Sequence, residues 1–107
     1  MKLVVAIINN DDCNSVLNGL SQKGHSATKL ATSGGFLRAG NATLLIGTSE
    51  EKVDEVIEVI GEFSRKRSQM VSASPSFMAE GFISKQVEVT VGGATVFVLD
   101  VDKFIKL

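Results

Sequence analysis

Six consecutive apolar residues, Leu3-Val4-Val5-Ala6-Ile7-Ile8, stand almost at the start of the chain and are broken off by Asn9-Asn10-Asp11-Asp12. The run is rich in β-branched side chains and has no polar alternation, the pattern of a central strand that is largely enclosed. A strand of that kind needs neighbours on both edges and a layer packed on it. The rest of the chain must therefore supply more strands and at least one helix. The run is also far short of the ~20 apolar residues that cross a bilayer, and it lacks the small-residue cleavage site of a signal peptide. The expected location is cytoplasmic.

The remaining elements follow from local pattern. Asn10, Asp11 and Asp12 are cap candidates for a helix whose apolar stripe is Cys13, Val16, Leu17 and Leu20, at i, i+3, i+4 and i+7. Gly24 suits its C-terminal end, where a left-handed backbone is common. His25–Thr32 reads as a weaker strand and Ala42–Ile46 as a clearer one. Thr48 and Glu51 have the spacing of a capping box, with Glu50 and Glu51 placed near the positive end of a second helix. Val53, Val56, Ile57, Ile60 and Phe63 form its expected buried stripe, and Arg65, Lys66 and Arg67 suit its C-terminus. Ser68–Lys85 shows no sustained period, holds the only proline, Pro75, and reads as a long functional loop. Val87, Val89 and Val91 alternate with Glu88 and Thr90, Gly92-Gly93 reads as a two-residue hairpin turn, and Ala94–Leu99 as the returning strand. Asp102–Leu107 allows a short terminal turn or helix.

The resulting order, β-α-β-β-α-β with an additional C-terminal strand, is the split βαβ pattern of a ferredoxin-like α+β sandwich. One domain spanning 1–107 is expected from the length. Both helices would cover one face of an antiparallel sheet, and a chain this small would cover the other by self-association.

Composition narrows the function classes. A net charge of −1 gives no general field toward nucleic acid or anionic lipid, so a bound anion must be held locally. Cys13 is the only cysteine and falls on the helical stripe, which excludes an intrachain disulfide and favours a small core residue over a reactive thiol. His25, the only histidine, has no nucleophile motif beside it and reads as a solvated side chain. The adjacent Asp11 and Asp12 fit helix capping better than acid–base work, and no cofactor, catalytic residue or metal site is expected.

The one segment that suggests chemistry is Lys29–Asn41. Gly34-Gly35 permits backbone conformations in which successive N–H groups converge on an anion. Thr28, Thr32 and Ser33 add hydroxyls, and Lys29 and Arg38 add charge. Phe36 offers a face for a base, and the Asn41 amide can both donate to and accept from a base edge. The segment is neither a Walker loop nor a dinucleotide fingerprint. A plain hairpin turn, with Phe36 and Leu37 packed on the sheet, accounts for the same glycines.

The run Ala27-Thr28-Lys29-Leu30-Ala31-Thr32-Ser33-Gly34-Gly35-Phe36-Leu37-Arg38-Ala39-Gly40-Asn41, with Thr43–Gly47, Val87–Leu99 and the ending Phe104-Ile105-Lys106-Leu107, closely resembles the PII-like cyclic di-AMP receptor family. The resemblance covers nearly the whole chain, with its motifs in the same order. It implies a bacterial signalling protein: a homotrimer of ferredoxin-like subunits that binds cyclic di-AMP at each subunit interface and relays it by loop rearrangement to a partner protein. Thr28, Gly35, Phe36, Leu37, Asn41, Gly47 and Phe97 would contact the ligand. The loops around Ser33–Ala39 and Ser68–Lys85 would flank it. The chain departs from the signature at Ser26, where messenger-binding members often carry arginine, a strong phosphate partner. The alternative is a trimeric interaction module that answers to another adenine nucleotide such as ATP, or that has lost nucleotide binding.

Overall fold

The computed structural model describes residues 1–30, 40–72 and 86–107. In chain order the elements are β1 (Lys2–Asn9), α1 (Asn10–Gln22), β2 (Thr28–Leu30), β3 (Asn41–Thr48), a 3-10 turn at Glu50–Lys52, α2 (Val53–Phe63), β4 (Arg67–Ser72), β5 (Gln86–Val91) and β6 (Ala94–Asp100). Four strands form an antiparallel sheet in the order β2-β3-β1-β6, with the apolar β1 inside as its composition requires. This is the ferredoxin-like order, with β6 in the place of the fourth strand. β4 and β5 form a separate two-stranded sheet. The strands beyond the basic pattern are thus a hairpin inserted before the last strand, not an addition after it.

Both helices pack on one face of the four-stranded sheet. Val4, Ala6 and Ile8 of β1 and Ala42, Leu44 and Ile46 of β3 meet Cys13, Val16 and Leu20 of α1 and Val56, Val59 and Ile60 of α2. The expected α1 stripe and the buried Cys13 agree with this core. The α2 stripe is shifted: Val59 is buried, while Ile57 and Phe63 are exposed at the margin. Val59 adjoins Ile60 and so turns with it toward the sheet.

Several local expectations need correction. The α1 cap is Asn9, whose side chain accepts the Asp11 backbone N–H at 2.8 Å, because β1 runs one residue further than its apolar pattern. Thr48 belongs to β3, so the 3-10 turn takes Ser49 as its cap and no capping box forms. His25 is buried, and its Nε2 lies 3.3 Å from Glu55 Oε2 of α2, so its polar neighbour is found across the helix layer instead of in water. Arg67 opens β4 and does not cap α2. The first residues of the supposed loop Ser68–Lys85 are β-strand as far as Ser72, and 73–85 lie outside the described residues. The terminal segment 101–107 forms neither helix nor strand.

Gly92-Gly93 is not a hairpin turn. β5 pairs with β4 and β6 with β1, so the two glycines carry the chain from one sheet into the other. Both have positive φ, +83° and +85°, which L side chains adopt at a cost. A Cβ on Gly92 would sit 2.6 Å from the Arg65 carbonyl oxygen. The Gly93 N–H donates to the Ser64 carbonyl, and Ser64, itself buried, donates its hydroxyl to the Ile60 carbonyl at the end of α2. The root of the hairpin is thereby fixed to the helix layer.

Candidate functional site

The pleat divides each strand of the main sheet between two faces. Residues 4, 6 and 8 of β1 and 42, 44 and 46 of β3 face the helices, so their neighbours Leu3, Val5, Ile7, Asn41, Thr43, Leu45 and Gly47 face the other way. The register extends this open face outward. Thr28 is opposite Leu45, Leu45 opposite Val5, and Val5 opposite Phe97. A second row runs Leu30, Thr43, Ile7, Thr95, and a third joins Gly47, Leu3 and Leu99.

Thr28, Asn41, Gly47 and Phe97 therefore share the open face although they come from three strands. Thr28, Asn41 and Gly47 are exposed, and Phe97 is 53% exposed despite its central position in β6. A Cβ on Gly47 would meet only the Met1 sulfur, at 3.8 Å, leaving that surface low and open. Gly35, Phe36 and Leu37, with Thr32, Ser33 and Arg38, lie outside the described residues. The face is shared, but its residues do not form one tight cluster. Thr28 and Phe97 are three strand spacings apart, about 14 Å, and Asn41 and Gly47 are six residues apart on β3, about 20 Å.

Asn41 has a second environment. It borders a shallow cavity of ≈ 270 Å³ with Ile7, Lys66, Gly92, Gly93, Ala94 and Thr95. This cavity unites the start of β3 with the root of the hairpin. It offers an amide, a hydroxyl and, from Lys66, a positive charge. The sequence placed Lys66 at the end of α2 and gave Thr95 no role. Their proximity to Asn41 depends on β6 pairing with β1, which no local spacing reveals. Thr43 adds another unforeseen polar group: its hydroxyl oxygen is buried on the open face with no hydrogen-bond partner among the described residues. Buried polar atoms are seldom left so.

What this surface can do is hold a flat, partly polar ligand or a second protein surface. Apolar side chains supply contact area, with hydroxyl and amide groups spaced between them. Ser26 is exposed just ahead of β2 and brings no charge to it. No group of three or more metal-ligating side chains occurs among the described residues, and no described helix is long and apolar enough to cross a membrane.

Comparison with known proteins gives these features a context. A crystal structure of a functionally unknown protein from Pediococcus pentosaceus is 40% identical in sequence, with a TM-score of 0.75. The match covers 99% of this chain and 96% of that one. The family model described as cyclic-di-AMP receptor matches residues 1–107. The chain belongs to the cyclic-di-AMP receptor family.

Proposed function

We propose that this chain is a cytosolic signalling protein that binds cyclic di-AMP where copies of the chain meet, three copies to an assembly, and reports the binding to a partner protein. The observation that carries this reading is the gathering of Thr28, Asn41, Gly47 and Phe97, all exposed, on the sheet face away from the helices, in a chain whose whole length matches a cyclic-di-AMP receptor family. The spacing along β3 favours a shared site. The Asn41 end and the Gly47 end offer separate half-sites about 20 Å apart, and a second copy laid on the open face would bring one end of each together. It would also bury Phe97 and Leu99, which a lone chain leaves about half exposed.

Within the site, Phe97 and the residues that follow β2 would cover the bases. Asn41 would read a base edge, and Thr28 with Lys66 would face phosphate. The relay to the partner would pass through the residues that follow β2 and those between β4 and β5.

Calorimetry with cyclic di-AMP, cyclic di-GMP and ATP tests the reading. Heat with cyclic di-AMP alone is expected, and Asn41→Ala should weaken it by at least about tenfold, the loss of roughly 1.4 kcal/mol of contact. No heat at millimolar cyclic di-AMP would sink the proposal. Binding of ATP in its place would transfer the site to an adenine mononucleotide.

A further inference from the structure

We propose that the first turn of α1 is a joint that couples the Asn41 end of the candidate site to the β4–β5 hairpin, with Asn10 gripping one side and the Asp12–Arg67 pair the other. This inference rests on the functional reading above for its ligand, but not for its mechanics.

Three residues at that turn reach in different directions. Asn9 caps the helix itself. The Asn10 backbone N–H, one of the four that a helix start leaves without an internal partner, donates to the Gly40 carbonyl at 2.7 Å. It thereby holds the residue that leads into Asn41. Asp12 faces the hairpin: its two carboxylate oxygens accept from both terminal nitrogens of Arg67, at 2.8 and 3.4 Å. Two parallel bonds fix the angle of the guanidinium as well as its distance.

The burial of Asp12 separates this pair from an ordinary surface contact, although the Arg67 side chain stays 46% exposed. The Asp12 side chain is 8% exposed, where a charge needs a specific partner. Arg67 Nη1, which makes the longer bond to Asp12, also donates to the Arg65 carbonyl at 3.1 Å, the same oxygen that crowds Gly92. The hydrogen bond to Asp12, ahead of its charge, raises the Arg67 pKa above an already high ordinary value. Arg67 also opens β4 opposite Val91, so its position is that of the hairpin's root.

The cavity bordered by Asn41, Lys66, Gly92 and Gly93 lies between the two sides that this turn ties together. A group that enters it presses on the start of β3 and on the hairpin root at once. A helical turn is stiff and close-packed, so it passes displacement between its attachments instead of absorbing it. Arg67 is a positioning residue in this scheme, not a ligand contact.

Residue-resolved amide hydrogen exchange decides the matter on the full chain, with Arg67→Met keeping the apolar stem and removing the fork. In the free variant, exchange at the Asn10 amide should rise about tenfold or more relative to the Val4 and Leu44 amides, which report the core. With cyclic di-AMP, exchange across residues 67–72 and 86–91 should slow in the parent but not in the variant, which should bind within about threefold of the parent. An Asn10 amide as protected as before, or a hairpin response to ligand of undiminished size, would overturn the joint. If the parent binds no cyclic di-AMP, the functional reading falls, while the free-protein measurement still rules on the joint. Asp12→Asn, which keeps the side-chain shape, gives the same readout should Arg67→Met fold poorly. Arg67→Lys, with one point charge for two bonds, should fall between.

Discussion

The two faces of the four-stranded sheet are built from the same strands and share a backbone, yet they differ in nearly every other respect. Leu44 faces the helices and is fully buried, while its neighbour Leu45 faces away and is only partly covered. On β6, at the edge of the sheet, the contrast fades: Phe97 and Leu99 of the open face and Val98 of the helix side all leave about half their surface in water. The helix face spends its apolar residues on a core within one chain. The open face keeps comparable apolar residues and mixes Thr28, Asn41, Thr43 and Gly47 among them. A face that is apolar but interrupted by hydroxyls and an amide is unsuited to a core, where each polar atom must find a partner. It suits recognition, in which the partner arrives from outside.

The comparison breaks most directly at residues 44 and 45. Leu44→Ala should destabilise the chain by about 2–5 kcal/mol, the usual cost of a cavity at a fully buried leucine. Leu45→Ala should cost clearly less in a single chain and show itself in self-association. Denaturant melts at low and high protein concentration separate the two effects. Equal, concentration-independent losses would mean that both faces serve one intramolecular core.

The division between the faces was partly legible in the sequence. The apolar run at Leu3–Ile8 announces a central strand, and the stripe from Cys13 to Leu20 announces the helix above it. Both depend only on local period. Pairing is a different matter. Val87–Val91 alternates and Ala94–Leu99 is mostly apolar beyond Gly92-Gly93, a pattern common to a hairpin and to two strands in different sheets. The deciding contacts, β6 with β1 and β4 with β5, are non-local. The same holds for His25, whose partner Glu55 is 30 residues away, and for Asp12, paired with Arg67 across 55 residues. Among the site residues, Thr28 and Asn41 are suggested by their own hydrogen-bonding groups beside the glycine-rich stretch, while Gly47 and Phe97 follow from family resemblance alone. Only the strand register shows that they share a face, and Lys66 and Thr95 enter through the fold alone.

Gly92 tests the boundary between the main sheet and the hairpin. Gly92→Ala must hold a side chain at φ +83° against the backbone oxygen of Arg65, and a cost of about 1–3 kcal/mol is expected from the strained backbone. Loss of hydrogen-exchange protection should concentrate in β4 and β5, leaving β1 and β3 close to the parent. Uniform loss over both sheets would show that the hairpin and the core unfold as one unit.

A smaller effect on stability, and a specific one on assembly, is expected at Phe97. Phe97→Asp places a charge on the open face without opening a cavity in the helix-side core. Thermal unfolding of the dilute chain should barely change, while the concentration needed for self-association rises at least about tenfold, near 1.4 kcal/mol. Light scattering over a dilution series measures it. Unaltered association would place the contact between copies away from this face.

The smallest expected effect comes from the far end of the helix face, where the sheet extends past its cover. Lys2 and Asp100 face each other across β1 and β6 and form an ion pair, with Asp100 largely in solvent. The hydrogen bond from Lys2, then its charge, lowers the Asp100 pKa below its ordinary 3.8, and the bond to Asp100 raises the Lys2 pKa above 10.5. A lowered carboxylate stabilises the fold above its unfolded pKa, and that contribution is lost as pH falls through the folded value. A raised amine stabilises below its unfolded pKa and loses the contribution as pH rises through its folded value. The pair therefore acts across the whole interval between, and physiological pH lies on its plateau. Comparing the parent with Asp100→Asn, the difference in melting temperature should be small and flat between about pH 5 and 9. It should close on the acid side below 3.8 and on the alkaline side above 10.5. Because the pair is exposed, 1 M salt, with a screening length near 3 Å, should shrink the difference at neutral pH. A gap that widened in salt, or that closed near pH 7, would show that Asp100 acts on something other than Lys2. A flat, salt-sensitive gap would leave the covered part of the helix face as the part that holds the chain together.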